Sequence, residues 1–143
     1  MKSNYRFARR VVAEKSELPV DGDPFITLAN DARKRIREIA PREMIKLKQS
    51  PLIIDVRENH EFVQGHIAGA KNVTRSVLER NVKNMVPDPL SPILVYCSCG
   101  SRSALAADNL QKMGYQNVYS LKGGLSAWLE AGGVVETQRT LGS

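Results

Sequence analysis

The sequence has few cysteines: only Cys97 and Cys99 occur among its 143 residues, and both lie in one short segment. A disulfide between residues this close would form a very small and strained ring. A four-ligand zinc site would need both His60 and His66 in addition, so a metal site is not expected. Reduced thiols in a reducing compartment fit best, and we therefore expect a cytoplasmic protein.

Long apolar segments are also missing. No apolar run approaches the roughly 18 residues of a membrane-spanning helix. The short apolar run at residues 11–13 ends at Glu14 and Lys15, whereas a secretory signal needs an unbroken apolar core. We therefore expect neither a membrane span nor a secretory signal.

The net charge of +6 is concentrated in the first third of the chain. Residues 1–50 hold 12 Lys and Arg against 7 Asp and Glu, while residues 51–143 hold 9 against 8. Such an excess can contact nucleic acid or a membrane surface. Aromatic residues are not regularly interleaved with these charges, as a surface for single-stranded nucleic acid would require. We interpret the excess as a solvated basic face and expect no nucleic-acid or membrane partner.

Short apolar strands alternate with helical segments along most of the chain. Strands are predicted at 35–39, 51–56, 71–75, 93–97 and 117–121. Helices are predicted at 41–49, 58–66, 76–85, 101–113 and 125–132. The central strands are apolar without alternation, which is typical of an α/β domain whose mostly parallel sheet is covered on both faces.

Cys97 lies where a predicted strand ends and a helix begins. The intervening residues are Ser98, Cys99, Gly100, Ser101 and Arg102. Small residues and a glycine allow several backbone N–H groups to turn inward, and such a nest favours an anion, as does the start of a helix. A thiol held there ionises more readily than a free thiol, and the thiolate is a nucleophile. The pattern predicts a reactive cysteine beside an anion-binding loop.

Three separate blocks of the sequence resemble rhodanese domains. CSCGSRS (97–103) resembles the active-site loop C-x-x-G-x-R-S, LIIDVRENHEFVQGHIAGAKNV (52–73) the N-terminal signature, and GYQNVYSLKGGLSAWLEAG (114–132) the block that closes the domain. The resemblance spans about residues 33–133. It implies a three-layer α/β sandwich, with a mostly parallel central sheet and helices on both faces.

This resemblance divides the chain into three parts. Residues 33–133 form the rhodanese domain, 1–32 an N-terminal extension that is partly flexible, and 134–143 a C-terminal tail. Within the extension, Asp23 followed by Pro24 predicts the start of a short helix over 24–34.

The resemblance implies sulfur transfer. In rhodaneses the loop cysteine attacks the outer sulfur of a donor such as thiosulfate, holds it as a persulfide, and passes it to cyanide or a thiol. By position Cys97 takes that role, while backbone N–H groups of the loop hold the persulfide and the donor's anionic oxygens. The loop residues are Ser98, Cys99, Gly100, Ser101, Arg102 and Ser103. We expect no metal and no organic cofactor, a monomer, and a small acceptor, thioredoxin or another thiol protein.

Loop length separates sulfur transfer from a related chemistry. Four residues lie between Cys97 and Arg102, as in sulfur-transferring rhodaneses, whereas related phosphatases have one more, which makes room for phosphate. A phosphatase or arsenate reductase therefore ranks below sulfur transfer. The main alternative is a regulatory module that only binds partners, with the 1–32 extension as its docking element. Modules of that kind often lack the cysteine that this chain retains.

Other residues of the signature blocks also need a role. We expect Asp55 to pair with Arg102 and fix the loop, with Arg57 supporting it. Arg102 has two candidate roles, binding an anionic donor and bracing the loop. His66 invites a general-base role, but the family pattern favours a buried, hydrogen-bonded one. Trp128 is expected in the core.

Cys99 is not part of the rhodanese motif, because rhodanese loops vary at that position. Its thiol is able to attack a persulfide on Cys97 and release sulfide, leaving a strained disulfide, or to protect Cys97 from over-oxidation. Alternatively, it merely fills a variable position. Our hypothesis is that Cys99 tunes the lifetime of the persulfide.

Overall fold

The computed structural model describes residues 22–138, in which helices and strands alternate. The helices are α1 (Pro24–Arg33), α2 (Pro41–Met44), α3 (Asn59–Gln64), α4 (Leu78–Met85), α5 (Ser101–Lys112) and α6 (Gly124–Glu130). The strands are β1 (Arg37–Ile39), β2 (Leu52–Asp55), β3 (His66–Ile67), β4 (Lys71–Asn72), β5 (Ile93–Tyr96), β6 (Val118–Leu121) and β7 (Val135–Glu136). No helix within these residues has both the length and the apolar character that crossing a membrane requires.

Five strands form one parallel sheet in the order β1-β6-β5-β2-β4. The central strand β5 is buried along its whole length, and its sequence is continuously apolar because both faces of the sheet are covered. Helices α1, α4 and α5 lie on one face, and α2, α3 and α6 lie on the other. The predicted α/β sandwich around a parallel sheet is confirmed.

The register of the sheet determines where a ligand can bind. Strands β2 and β5 end side by side, since Asp55 is the register partner of Tyr96. Cys97 follows Tyr96 directly, so it lies at the carboxyl edge of the sheet. This edge is where open parallel α/β sheets place their ligands.

Helix α1 packs on the domain although most of it lies in the predicted extension. The Asp23 side chain caps its N-terminus as expected. Ala29 and Ala32 are buried, and the helix contacts α5. Just after it, Arg35 pairs with Asp108 of α5 at 2.8 Å. The boundary predicted at residue 33 therefore runs through a helix that belongs to the folded unit.

Several predicted elements differ in the structure. The strand predicted over 71–75 is limited to Lys71–Asn72, and His66, the last residue of the predicted helix 58–66, begins β3. The helix predicted over 41–49 ends at Met44, where the N–H groups of Lys46 and Leu47 donate to carbonyl oxygens three residues back and close tight turns in place of helical bonds. The predicted tail contains β7, which pairs with β3 in an antiparallel bridge. A pairing of two residues on each side is too short to give a hydrophobic pattern. The rest of the tail, 139–143, and the extension at 1–21 lie outside the described residues.

Candidate active site

Cys97 is a buried thiol, 1% exposed, between the end of β5 and the start of α5. The backbone N–H of Gly100 donates to its Sγ at 3.1 Å, and the N–H of Ser103 donates at 3.4 Å. Both donors belong to the start of α5, whose N-terminus carries partial positive charge. The surroundings of the sulfur therefore favour an anion, and a thiolate held there can act as a nucleophile.

Glycines give this loop its shape. Gly100 precedes α5 with a φ of 105°, a conformation that side chains rarely adopt. Behind the loop, the N–H of Leu125 donates to the carbonyl oxygen of Cys97 at 2.8 Å. A Cβ on Gly124 would lie 2.4 Å from that same oxygen. The close approach of two backbones thus requires glycine, which explains why a Gly-Gly pair in the closing block supports the loop.

Arg102 binds Glu61 and not Asp55. Its Nη1 donates to Oε1 of Glu61 at 2.9 Å and its Nη2 to Oε2 at 3.3 Å. The pairing that we expected between Asp55 and Arg102 is therefore wrong. The reason is the direction of the side chains. Asp55 forms a buried ion pair with Arg57, while the carboxylate of Glu61, on α3, lies beside the loop.

The Glu61–Arg102 pair changes the ionisation of both groups. The hydrogen bonds from Arg102 lower the pKa of Glu61 to about 2. The Glu61 carboxylate in turn raises the pKa of Arg102. Arg102 also donates to the hydroxyl of Ser98 at 3.1 Å. The guanidinium therefore braces the loop from its rim.

Asp55 and Arg57 form a buried ion pair. Arg57 donates through Nη2 to Asp55 Oδ2 at 2.7 Å and through Nε to both carboxylate oxygens. The same guanidinium donates to the carbonyl oxygen of Gly65 at 2.7 Å. Burial alone would lower the pKa of Arg57, but the Asp55 carboxylate raises it. The pair holds together the turn that carries α3, and with it Glu61.

His66 is buried, and its hydrogen bonds do not involve Cys97. Its Nδ1 lies 2.7 Å from the carbonyl oxygen of Phe62, and its Nε2 lies 3.2 Å from the carboxylate of Glu136 on β7. As expected, His66 is buried and hydrogen-bonded. Trp128 is only partly buried against the core, and its indole N–H donates to the carbonyl oxygen of Val134 at 3.0 Å.

The remaining loop residues point in different directions. Cys99 is exposed and not disulfide-bonded, whereas Ser101 is buried at the start of α5. The Ser103 side chain is fully buried, with its Oγ 3.6 Å from Cys97 Sγ. The structure thus brings Cys97, Gly100 and Ser103 together and leaves the second thiol at the surface.

Three residues near the loop have contacts that the sequence did not predict. Glu61 lies inside the signature block 52–73, and its carboxylate marks it as a candidate partner for the arginine of the loop. The Oγ atoms of Ser120 and Ser103 lie 2.9 Å apart and share a hydrogen bond. A serine within the otherwise apolar VYSL strand indicates that its hydroxyl needs a buried partner. Arg33 of α1 places Nη2 3.4 Å from the position that a Cβ on Gly100 would take, and no local pattern marks this contact.

Sequence comparisons identify relatives over the same part of the chain. The family model of the rhodanese-like domain matches residues 40–131. An uncharacterized Bacillus subtilis protein, YqhL, is 39% identical over 87 residues, which are 61% of this chain and 65% of that protein. The thiosulfate sulfurtransferase GlpE of Shewanella oneidensis is 34% identical over 97 residues, 66% of this chain and 94% of that protein. A tRNA uridine(34) hydroxylase of Protochlamydia amoebophila is 31% identical, over 67% of this chain but 32% of that protein. The chain thus spans just under two thirds of YqhL and about a third of the hydroxylase.

Solved structures share the fold over a similar extent. A Rhodopseudomonas palustris protein of unknown function, described as a possible tyrosine phosphatase, has a TM-score of 0.68 at 30% identity, covering 85% of this chain and 98% of that one. The polysulfide-sulfur transferase of Wolinella succinogenes, a homodimer, has a TM-score of 0.66 at 27% identity, covering 83% and 91%. Because the family model matches well over half of its residues, the chain belongs to the rhodanese-like domain family.

Proposed function

We propose that the protein is a sulfurtransferase that carries a sulfane sulfur on Cys97. One observation carries the proposal: the Cys97 thiol lies at the end of a parallel strand, and two backbone N–H groups donate hydrogen bonds to its sulfur. The similarity to GlpE and to the polysulfide-sulfur transferase supports the same chemistry.

The proposed transfer has two steps that balance without a redox partner. With thiosulfate as donor, the Cys97 thiolate attacks the sulfane sulfur. A bond forms between Sγ and that sulfur, the S–S bond of thiosulfate breaks, and sulfite leaves with the electron pair. An acceptor thiolate or cyanide then attacks the outer sulfur of the persulfide, and Cys97 leaves as a thiolate.

The loop assists both steps through electrostatics. The N–H groups of Gly100 and Ser103 face Cys97 Sγ, so they stabilise the thiolate that attacks in the first step and the thiolate that leaves in the second. Arg102 is engaged by Glu61 and keeps the loop in place. We further propose that the protein works as a cytoplasmic monomer without a cofactor, and that its acceptor is a small thiol or a thiol protein such as thioredoxin.

A phosphatase is the second candidate, because a similar structure is described as a possible tyrosine phosphatase. The loop argues against this reading, since four residues between Cys97 and Arg102 leave less room for a tetrahedral phosphate. Hydrolysis of an aryl phosphate, assayed beside sulfur transfer, separates the two. We expect no hydrolysis above that of a Cys97→Ser variant.

Steady-state turnover tests the proposed function. Sulfite release from thiosulfate is measured with cyanide, glutathione and thioredoxin as acceptors. In a parallel series a persulfide replaces thiosulfate as the donor, and the sulfur delivered to the acceptor is measured. Cys97→Ser should lose turnover with every donor, whereas Cys99→Ser, a matched change in the same loop, should keep it. Full turnover by Cys97→Ser would refute the assignment.

A further inference from the structure

Ser120 is a buried hydroxyl within an otherwise apolar strand. It lies on β6 next to Val95 of β5 and is 0% exposed. Burying a hydroxyl without a partner costs about 1–3 kcal/mol, so a serine at this position needs a hydrogen bond. Among residues 22–138, its side-chain hydrogen bond is to Ser103, with 2.9 Å between the two Oγ atoms.

The direction of this hydrogen bond follows from the available acceptors. The Ser103 hydroxyl can donate to the carbonyl oxygen of Gly100 at 3.2 Å, and its Oγ also lies 3.6 Å from Cys97 Sγ. Ser120 has no other acceptor for its proton among the side-chain hydrogen bonds of the described residues. Both hydroxyls are satisfied only if Ser120 donates to Ser103. Ser103 then keeps its own proton for the Gly100 carbonyl or for the sulfur.

An incoming hydrogen bond changes what Ser103 offers to Cys97. A hydroxyl that accepts a hydrogen bond becomes a stronger donor and a weaker acceptor. A neutral Cys97 thiol uses Ser103 as an acceptor, whereas the Cys97 thiolate uses it as a donor. Both changes therefore favour the anion on Cys97.

We propose that Ser120 is a positioning residue for Cys97: by donating to Ser103, it polarises that hydroxyl and leaves the Ser103 proton available to the Cys97 thiolate, in place of the Gly100 carbonyl that accepts this proton in the structure. The chain of contacts joins the end of β5, the first turn of α5 and the middle of β6, and all three side chains are buried. The inference rests on the proposed function in one respect, namely that Cys97 is the reactive thiol.

The test is the pH dependence of Cys97 alkylation. Iodoacetamide is used on the full chain carrying Cys99→Ser, so that one thiol reacts. Ser120→Ala should move the midpoint of the pH–rate profile upward and slow alkylation at neutral pH about three- to tenfold, the size expected for one hydrogen bond. A matched pair of variants refines this result. Ser120→Thr keeps the hydroxyl and should keep the midpoint, whereas Ser120→Val introduces a side chain of nearly the same shape as threonine without the hydroxyl and should shift the midpoint.

Two further variants separate positioning from a general loss of packing. Val118→Ala alters a fully buried residue on the same face of β6, so it should lower stability but leave the midpoint in place. In a Ser103→Ala background, replacing Ser120 should have no additional effect on the midpoint, since the link to Cys97 is already gone.

Failure of this inference is distinguishable from failure of the proposed function. Equal midpoints for the Ser120→Val and Ser120→Thr proteins, both folded by circular dichroism, would overturn it, as would a full shift caused by Val118→Ala. Alkylation uses no sulfur donor. If neither thiosulfate nor a persulfide donor leaves sulfur on Cys97, the proposed function is refuted, and the midpoints still decide the role of Ser120.

Discussion

Arg102 and Glu61 join the loop that follows Cys97 to helix α3 through two hydrogen bonds, at 2.9 and 3.3 Å. The two residues are 41 positions apart in the chain, and each is partly exposed. Because Arg102 lies in the first turn of α5, the pair fixes the end of the loop opposite Cys97. The guanidinium is thereby balanced by a carboxylate, so the charge beside the loop is close to neutral.

The first prediction concerns stability at low pH. Hydrogen bonds from Arg102 lower the pKa of Glu61 from 4.5 to about 2. The ionised carboxylate therefore stabilises the folded state above pH 4.5, and this stabilisation is lost as the pH falls toward 2. The free energy of unfolding should therefore fall across this window in the wild type and fall less in Glu61→Gln. Urea denaturation at a series of pH values measures it, with Glu130→Gln, on the exposed end of α6, as control. A difference between wild type and Glu61→Gln that does not change with pH would contradict the account.

The second prediction concerns the buried pair of Asp55 and Arg57. Replacing Asp55 with alanine leaves a buried guanidinium without its carboxylate, and the free energy of unfolding should drop by about 3–5 kcal/mol. Asp31→Ala removes an exposed carboxylate that pairs with Arg35, and it should cost about 1 kcal/mol or less. Denaturant unfolding of the two variants compares these values. Similar losses would show that the Asp55 pair is not the constraint we describe.

The third prediction concerns the glycine behind the loop. A Cβ on Gly124 would lie 2.4 Å from the carbonyl oxygen of Cys97, so Gly124→Ala should push the loop away and lower kcat/KM about tenfold or more. Gly132 also has a positive φ, of 78°, but nothing lies within 4 Å of its Cβ position. Gly132→Ala should cost about 1 kcal/mol of stability and leave kcat/KM unchanged. Equal kinetic losses in the two variants would contradict the close approach.

The fourth prediction concerns Cys99, whose thiol is exposed beside the buried Cys97. If Cys99 attacks the persulfide and releases sulfide, Cys99→Ala should prolong the life of the persulfide. Mass spectra taken at intervals after removal of thiosulfate measure that lifetime. Equal yields and lifetimes in wild type and Cys99→Ala would mean that Cys99 fills a variable position.

The sequence was sufficient to predict the parallel sheet and the position of Cys97 between a strand and a helix, because both leave local patterns. A continuously apolar strand ending at Cys97, small loop residues and the quoted blocks lie close together in the chain. The partner of Arg102 was not predictable, since Asp55 and Glu61 both lie in the same signature block and only side-chain directions distinguish them. Likewise, β7 pairs two residues with β3 across a long separation, and no periodicity reveals so short a bridge.

The contact of Arg33 with Gly100 illustrates the same limit. Arg33 lies outside residues 40–131, and it reaches the loop only because Ala29 and Ala32 dock α1 on α5. Small residues at helical spacing predict a helix, but they do not say which surface it will cover. Docking geometry of this kind depends on the tertiary structure.

The mass of the intact protein after treatment with thiosulfate tests the central claim most directly. We predict a gain of about 32 mass units, one sulfur atom, which peptide mapping assigns to Cys97 and which cyanide removes. Cys99→Ser should show the same gain, and Cys97→Ser should show none. A wild-type protein that gains no sulfur from thiosulfate or from a persulfide donor, or a Cys97→Ser variant that still gains it, would contradict the account.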